Sequence, residues 1–360
     1  MRRMAMRLCW RRGSSVVAIL QRAFSPNKEF IMLTRTLWNG REVAALGFGG
    51  WAIGGPFFAG DIPLGWGDVD DRESIAAIHA ALDLGIRFFD TASNYGGGHS
   101  EEILGEALAG RDDVVIATKF GHVVDPVSKQ AMGEESSPEA IEAIVDTSLR
   151  RLRRERIDLL QLHLNDLPIE RAAPIFDKLG ALRRAGKIDA FGWSTDNPDG
   201  ARHVAGMDGF VAIQHAMNVF DPADAMIAVV EQAGLLSINR SPLAMGLLTG
   251  KFAGGAALAA NDVRVAALDW MTYFKDGQAA PAYAARLERI RDLLQSDGRT
   301  LTQGAIAWLW ARSGRTLPIP GVRTPRQITE NAGALEKGPL SGDVMAEIER
   351  VIGREQEAVA

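Results

Sequence analysis

The chain has 360 residues, 47% hydrophobic and 24% charged, enough for one large domain or two smaller ones around a sizeable core. No apolar run approaches the ~20 residues that span a bilayer, and a single cysteine excludes an internal disulfide framework and any multi-cysteine metal site. The formal net charge of −5 conceals an uneven distribution.

Residues 1–31 carry seven basic side chains (Arg2, Arg3, Arg7, Arg11, Arg12, Arg22, Lys28) and one acid, Glu29. Removing them from 40 Lys+Arg and 45 Asp+Glu leaves 33 against 44, a body near −11. An acidic body argues against nucleic acid as a partner. The leader, which holds the lone Cys9, reads as a disordered tail, an over-extended start upstream of Met32 or an Arg-rich targeting peptide. A secretory signal fits poorly, because the apolar run at 16–20 is short and Gln21-Arg22 soon follows. One cysteine fits a reducing compartment, and a cytoplasmic location is expected. Residues 32–360 are expected to form one domain.

From Leu33 the pattern changes. Residues 34–37 and 41–44 flank Trp38-Asn39-Gly40, and Asn-Gly is a strong hairpin signal. Strand and helix then alternate. The first buried strand is expected over 45–49, followed by a helix over 71–84 with Ile75, Ile78 and Leu82 on one face and Gly85 as its stop. Residues 86–89 form strand two, and Ser100 is read as the cap of a helix over 101–108. Strand three covers 114–118, and Ser137-Pro138 opens a long helix. Strand four is 157–162, then a helix over 169–184, and strand five is 188–193. A helix starts near Pro198, strand six is 211–213, and Asp221-Pro222 begins the next helix. Strand seven is 235–238, strand eight 316–319, and a short helix follows Pro325.

Eight β–α units in series give a parallel sheet, and eight is the number that closes a (β/α)8 TIM barrel. The alternative is an open doubly wound sheet, but no Gly-x-Gly-x-x-Gly follows a strand. The expected molecule is therefore an α/β barrel with an N-terminal hairpin cap, a long loop after strand seven and a C-terminal helix. That loop, some thirty residues past Gly250, and the segment 57–70 have the length of lids or binding loops. Their aromatics, Trp66, Trp270 and Phe274, join Trp51 as candidate walls of the mouth.

In a barrel the site gathers at the C-terminal ends of the strands. Those positions read Gly49-Gly50-Trp51, Asp90, Lys119, His163, Ser194, Gln214, Arg240-Ser241 and Pro320-Gly321. Tyr95 stands five residues past Asp90, in the turn after strand two. A free tyrosine, with pKa near ~10, is a poor acid at neutral pH. Lys119, paired with Asp90, would lower that value. His163 would hydrogen-bond a bound carbonyl, and Tyr95 would protonate its oxygen as a hydride arrives from a cofactor. Of the six histidines, only His163 clearly sits at a strand end, with His215 a weaker case, so no metal site is expected.

These residues resemble the aldo-keto reductase family. The likeness runs through Leu46-Gly47-Phe48-Gly49, Phe89-Asp90-Thr91-Ala92 with Tyr95-Gly96 and Glu101, Thr118-Lys119, residues 158–163, Gly192-Trp193-Ser194, Ser241-Pro242-Leu243 with residues 246–251, and Ile319-Pro320-Gly321. It implies a catalytic tetrad of Asp90, Tyr95, Lys119 and His163 and an NADPH lying extended across the barrel mouth. By position, Ser194 and Gln214 would hold the nicotinamide carboxamide, and Ser241, Leu243 and Gly246 would line the pyrophosphate. Gly321, Arg323, Gln327 and Asn331 would bind the 2′-phosphate end, with Glu330 toward the adenine. Gly49, Gly50, Trp51 and Asp90 complete the expected cofactor contacts, and Trp51, Tyr95 and His163 the substrate contacts.

Two positions depart from the family's usual pattern. Thr195 follows the strand-five serine where asparagine is common, and Arg240 stands where an aromatic commonly stacks on the nicotinamide. Arg240 is expected to favour the reduced cofactor or to contact phosphate as well. The implied activity is reversible reduction of a small aldehyde or ketone. A nucleotide-binding regulatory subunit is the alternative, and monomer and homo-oligomer are equally open.

Overall fold

The computed structural model describes residues 32–252, 257–266 and 268–353; the expectations for residues 1–31 fall outside the described residues. The chain opens with an antiparallel hairpin, β1 (Thr34–Thr36) and β2 (Glu42–Ala44), then β3 (Phe48–Gly49). A small hairpin, β4 (Phe58–Ala59) and β5 (Ile62–Pro63), precedes α1 (Asp71–Asp83), whose first backbone N–H groups donate to the Asp70 side chain. Next come β6 (Phe88–Asp90), α2 (His99–Ala107) and β7 (Val115–Phe120). A second excursion, β8 (His122–Val124) paired with β9 (Ala131–Glu134), leads into α3 (Pro138–Leu152). Then follow β10 (Ile157–Leu162), α4 (Ile169–Arg184), β11 (Ile188–Ser194), α5 (Pro198–Val204), β12 (Phe210–Ala216), α6 (Asp224–Ala233) and β13 (Leu236–Arg240). The long loop carries β14 (Phe274–Lys275) and β15 (Gln278–Ala279). The chain continues with α7 (Pro281–Leu294), α8 (Leu301–Arg312), β16 (Thr316–Pro318), α9 (Pro325–Ala332) and α10 (Gly342–Ile352).

Eight parallel strands pair in the order β3, β6, β7, β10, β11, β12, β13, β16. The ends then meet. Gly47 and Gly49 donate to the carbonyls of Pro318 and Pro320 at 2.9 and 3.0 Å, and Gly49 bridges Gly321 in parallel. The sheet is a closed (β/α)8 barrel. A side chain at Gly49 would stand 2.6 Å from the Ile319 carbonyl oxygen, so glycine is required there for closure.

The barrel interior changes character along its axis because strand residues face inward at every second position. Its lower part is apolar: Phe88, Val115, Ala117, Leu159, Ala190, Ala212, Ile238 and Leu317 form one buried cluster. Two residues further up the same faces stand Asp90, Lys119, Gln161, Gly192, Gln214 and Arg240. Leu37 and Val43 of the hairpin join the lower cluster. Arg35 and Arg41 donate to the carbonyls of Thr316 and Val114, near the starts of β16 and β7. The hairpin therefore plugs the bottom and leaves the polar layer at the top.

Three local expectations change. Ser100 lies inside α2 rather than at its cap, and its hydroxyl donates to the Gly50 carbonyl at 2.8 Å. α6 begins at Asp224, after Asp221 has paired with Asn218 in a bridge. Phe274 is buried against Phe252, with ring centroids 4.9 Å apart, and is no part of the mouth. Among the described residues, no helix is long and apolar enough to cross a membrane.

Candidate active site

The turn after β6 is built to hold Tyr95 over the polar layer. Gly96 has φ +60°, and a Cβ there would lie 1.7 Å from the Gly54 carbonyl oxygen. Only glycine permits this approach. Arg151 of α3 braces the turn from outside, donating to the carbonyls of Ser93 and Gly97 and pairing with buried Glu101 at 3.3 Å. Glu101 also accepts from Thr118 at 2.6 Å.

Lys119 is completely buried. Its Nζ donates to Asp90 Oδ1 at 2.6 Å, to the Thr91 carbonyl at 2.8 Å and to the Tyr95 hydroxyl at 3.2 Å. The second carboxylate oxygen of Asp90 accepts from Gln214 at 2.8 Å and from Gln161 at 3.3 Å. Every strong acceptor is thus engaged, as a buried charge requires. Burial raises the Asp90 carboxyl above its ordinary range against the pull of Lys119. On Lys119 burial acts downward, but Asp90 and Tyr95 outweigh it and its pKa ends above the usual value. Tyr95 departs from expectation. Burial raises its phenol pKa, and Lys119, acting downward, does not overcome that. The phenol is therefore held firmly protonated.

His163 stands edge-on to Tyr95 with ring centroids 5.9 Å apart. Burial, followed by the nearby Lys119, holds its imidazole well below the ordinary histidine pKa, so it is neutral across the physiological range. His122, which sequence reading missed, packs edge-on to His163 at 5.2 Å. Trp51 stacks on Tyr95 at 6.0 Å, with Trp66 edge-on to it at 5.3 Å and the exposed Trp270 at 6.3 Å.

His215 does not belong to the site. Gln214 points into the barrel, so its neighbour points out, where its Nε2 meets the Ser237 hydroxyl at 2.8 Å and Asn239 adjoins. Burial lowers its pKa to about 4. The unfolded chain, with histidine near ~6.5, takes up a proton that the folded state refuses. Stability is therefore expected to be complete above pH ~6.5 and to fall by roughly 3 kcal/mol by pH 4 from this group alone. Urea unfolding at neutral and acid pH checks this, and His215→Gln should flatten the slope.

The residues expected at the cofactor lie in three groups. Ser194 and Gln214 are paired neighbours on β11 and β12, both buried, although the Gln214 amide nitrogen is already committed to Asp90. Ser241, Ala244, Met245 and Gly246 all have positive φ, a strained run that presents backbone in the way anion-binding loops do. Gly321 has only Ala52 near its missing side chain, and Asn331 is buried in α9. The Arg323 guanidinium donates to the carbonyls of Trp66 and Asp68, so a phosphate would have to draw it away. Its backbone N–H donates to Gln327 Oε1 at 2.8 Å. Glu330 enters only through its carbonyl, which accepts from Gln303. Gly49 and Gly50 are required by packing: a Cβ on Gly50 would meet the Asp90 carbonyl oxygen at 2.7 Å.

Arg240 is not free to act as a bare charge. It pairs with Asp196, and its Nη2 lies 3.5 Å from Asn165 Oδ1. Asp196 is fixed in turn by the Ala216 N–H at 2.8 Å, and Thr195 donates to the Asn165 carbonyl at 2.6 Å. The two departures from the family pattern are thus parts of one network. Among the described residues, the buried indole N–H groups of Trp51 and Trp66 have no acceptor. Donors without acceptors, a strained backbone run and an open glycine fit a bound anionic dinucleotide and an oxygen-bearing substrate.

A barrel with a protonated phenol against a buried lysine–aspartate pair is the framework of a carbonyl oxidoreductase. The sequence profile of the Aldo/keto reductase family matches residues 45–352. The aldo-keto reductase YhdN of Bacillus subtilis is 32% identical over 80% of this chain and 84% of its own length. The NADH-specific methylglyoxal reductase of Escherichia coli is 30% identical over 81% and 90%. The structure of the glycerol dehydrogenase AKR11B4 from Gluconobacter oxydans superposes with a TM-score of 0.74 at 29% identity, covering 89% of this chain and 95% of that one. The chain belongs to the aldo/keto reductase family, oxidoreductases that interconvert carbonyls and alcohols with a nicotinamide cofactor.

Proposed function

We propose that this protein is an NADPH-dependent reductase of small aldehydes or ketones, with Tyr95 as the proton donor. The observation that carries the reading is the Tyr95 hydroxyl 3.2 Å from the Nζ of Lys119, itself locked on Asp90 at 2.6 Å. Bound NADPH supplies the hydride that no side chain can. Tyr95 gives its proton to the carbonyl oxygen, and Lys119 offsets the phenolate charge as it forms. Asp90 keeps Lys119 charged and aimed. Neutral His163 orients the carbonyl oxygen without adding a competing cation. Trp51 walls the substrate space.

Ser194 and Gln214 would hold the carboxamide, Ser241, Leu243 and Gly246 the pyrophosphate, and Gly321, Arg323, Gln327 and Asn331 the 2′-phosphate, with Glu330 toward the adenine. Arg323, a planar cation beside a helix N-terminus, favours NADPH over NADH, in contrast to the E. coli relative named as NADH-specific. The relatives are named as reductases and a dehydrogenase, which supports turnover over a regulatory role. The single cysteine and the acidic body support a cytoplasmic enzyme without a nucleic-acid partner.

Measuring consumption of NADPH, and then NADH, against aldehydes, ketones, keto sugars and quinones tests the reading. If no carbonyl compound consumes either cofactor, it fails. Asp196 makes a second outcome specific. Because it pairs Arg240, wild-type protein should prefer NADPH over NADP+ only weakly. Asp196→Asn should raise that preference about fivefold, the equivalent of ~1 kcal/mol of unscreened charge in high dielectric. Fluorescence titration with both forms measures the ratio, and no change would show that Arg240 lies away from the nicotinamide.

A further inference from the structure

The turn that carries Tyr95 is held from outside the barrel as well as from within. Gly96, Gly97 and Gly98 all have positive φ, so three successive residues lie outside helix and strand conformation. The carbonyls of this turn meet cations. Arg151 of α3 donates to Ser93 and Gly97 at 3.4 and 3.1 Å, and Lys129 donates to Gly96 at 3.0 Å. The two carbonyls that Arg151 grips thus lie two residues before and two residues after Tyr95. The guanidinium sits so close to the chain that a Cβ on Gly98 would stand 2.1 Å from its Cζ. Its third partner is Glu101, which is completely buried and also accepts from Thr118 at 2.6 Å. Thr118 and Lys119 are consecutive on β7, so one faces α2 and the other the barrel interior. One strand therefore carries both anchors of the phenol: Lys119 at its hydroxyl and, through Thr118 and Glu101, Arg151 at its backbone.

We infer that Arg151, held by Glu101, is a positioning residue for the reduction: from outside the barrel it fixes the backbone on either side of Tyr95 and so aims the hydroxyl. The inference rests on Tyr95 as the proton donor and adds the residue that places it. Lys119 does not by itself fix where the ring stands, because its contact with the hydroxyl, at 3.2 Å, is the longest of the three that Nζ makes. A displacement of about 1 Å at a reacting group costs up to ~10²-fold in rate. Loosening the turn therefore acts on the proton transfer before it acts on binding.

The experiment is a double-mutant cycle between Arg151 and Tyr95 in the full chain, read by single-turnover oxidation of bound NADPH with the most active compound of the carbonyl screen. Arg151→Met keeps an aliphatic stem and removes the guanidinium, and should lower the rate about 30-fold or more. The carbonyl KM and the NADPH affinity should stay within about threefold of wild type. In the Tyr95→Phe background no hydroxyl is left to aim, and the same substitution should cost less than about threefold. Because Arg151→Met leaves Glu101 as an unpaired buried charge, Arg151→Met combined with Glu101→Gln is made beside it. That combination removes both charges, and should fold and show the same loss of rate. An equal loss in both Tyr95 backgrounds, a loss taken mainly in NADPH affinity, or a wild-type rate in the charge-free variant would each overturn the inference. If Tyr95→Phe alone keeps its rate within about tenfold of wild type, the proton-donor reading fails instead, before any Arg151 variant is made.

Discussion

Tyr95→Phe is expected to lower kcat by about 10³-fold while leaving NADPH affinity within about threefold, because general acid catalysis contributes ~10²–10⁴. The reason lies in what the hydroxyl touches. Its hydrogen bond is to Lys119 at 3.2 Å, and Lys119 keeps two stronger partners, Asp90 at 2.6 Å and the Thr91 carbonyl at 2.8 Å. The aromatic ring still stacks on Trp51. Removing the hydroxyl therefore deletes the proton and little else. Single-turnover hydride transfer followed by stopped flow, beside a fluorescence titration of NADPH, separates the two quantities. A kcat within tenfold of wild type would assign the proton to another donor.

Lys119→Met should have a larger effect on the fold than on any one bond. Lys119 and Asp90 are buried to 0% and 2% exposure, so the variant leaves a carboxylate with only the amides of Gln161 and Gln214. Breaking one side of a buried pair costs about 3–5 kcal/mol. Activity should be lost with it. The sign of the pH dependence identifies the cause. Without its cation, the folded-state pKa of Asp90 rises further above the unfolded value of ~3.9, and the folded state binds a proton that the unfolded state has released. The variant should regain stability as pH falls toward that value. Asp90→Asn combined with Lys119→Met should recover most of the stability at neutral pH and none of the turnover. Urea unfolding of the single and double variants decides it. Equal destabilisation in both would mean that packing, not charge, is what Lys119 supplies.

The barrel was legible because its elements repeat a local code. Residues 157–162 and 169–184 are strand and helix at the bounds their apolar spacing predicts. The grouping of Asp90, Tyr95, Lys119 and His163 could be anticipated because a barrel gathers the C-terminal ends of its strands, and the turns after them, at one face. Harder to see were residues whose meaning lies across the barrel. Gln161 supports Asp90 from 71 residues away, and Arg151 braces the Tyr95 turn from a helix on the outer layer. His122 was passed over because it follows a strand end by two residues, on a short hairpin outside the series of eight β–α units.

The sequence by itself determined the alternation of strands and helices, the plug hairpin with its Asn-Gly turn, and the acid and cation at consecutive strand ends with the phenol in the turn between them. Each depends on neighbours in the chain, through hydrogen-bond periodicity and side-chain alternation. Only the tertiary structure decided which forces win at the centre. Burial, a property of the assembled barrel, keeps Tyr95 protonated against the pull of Lys119. Asp196, just past β11, pairs Arg240 at the end of β13, and the β8–β9 hairpin sets a third ring beside His163. Desolvation and long-range pairing depend on the whole fold, and no local stretch of sequence carries them.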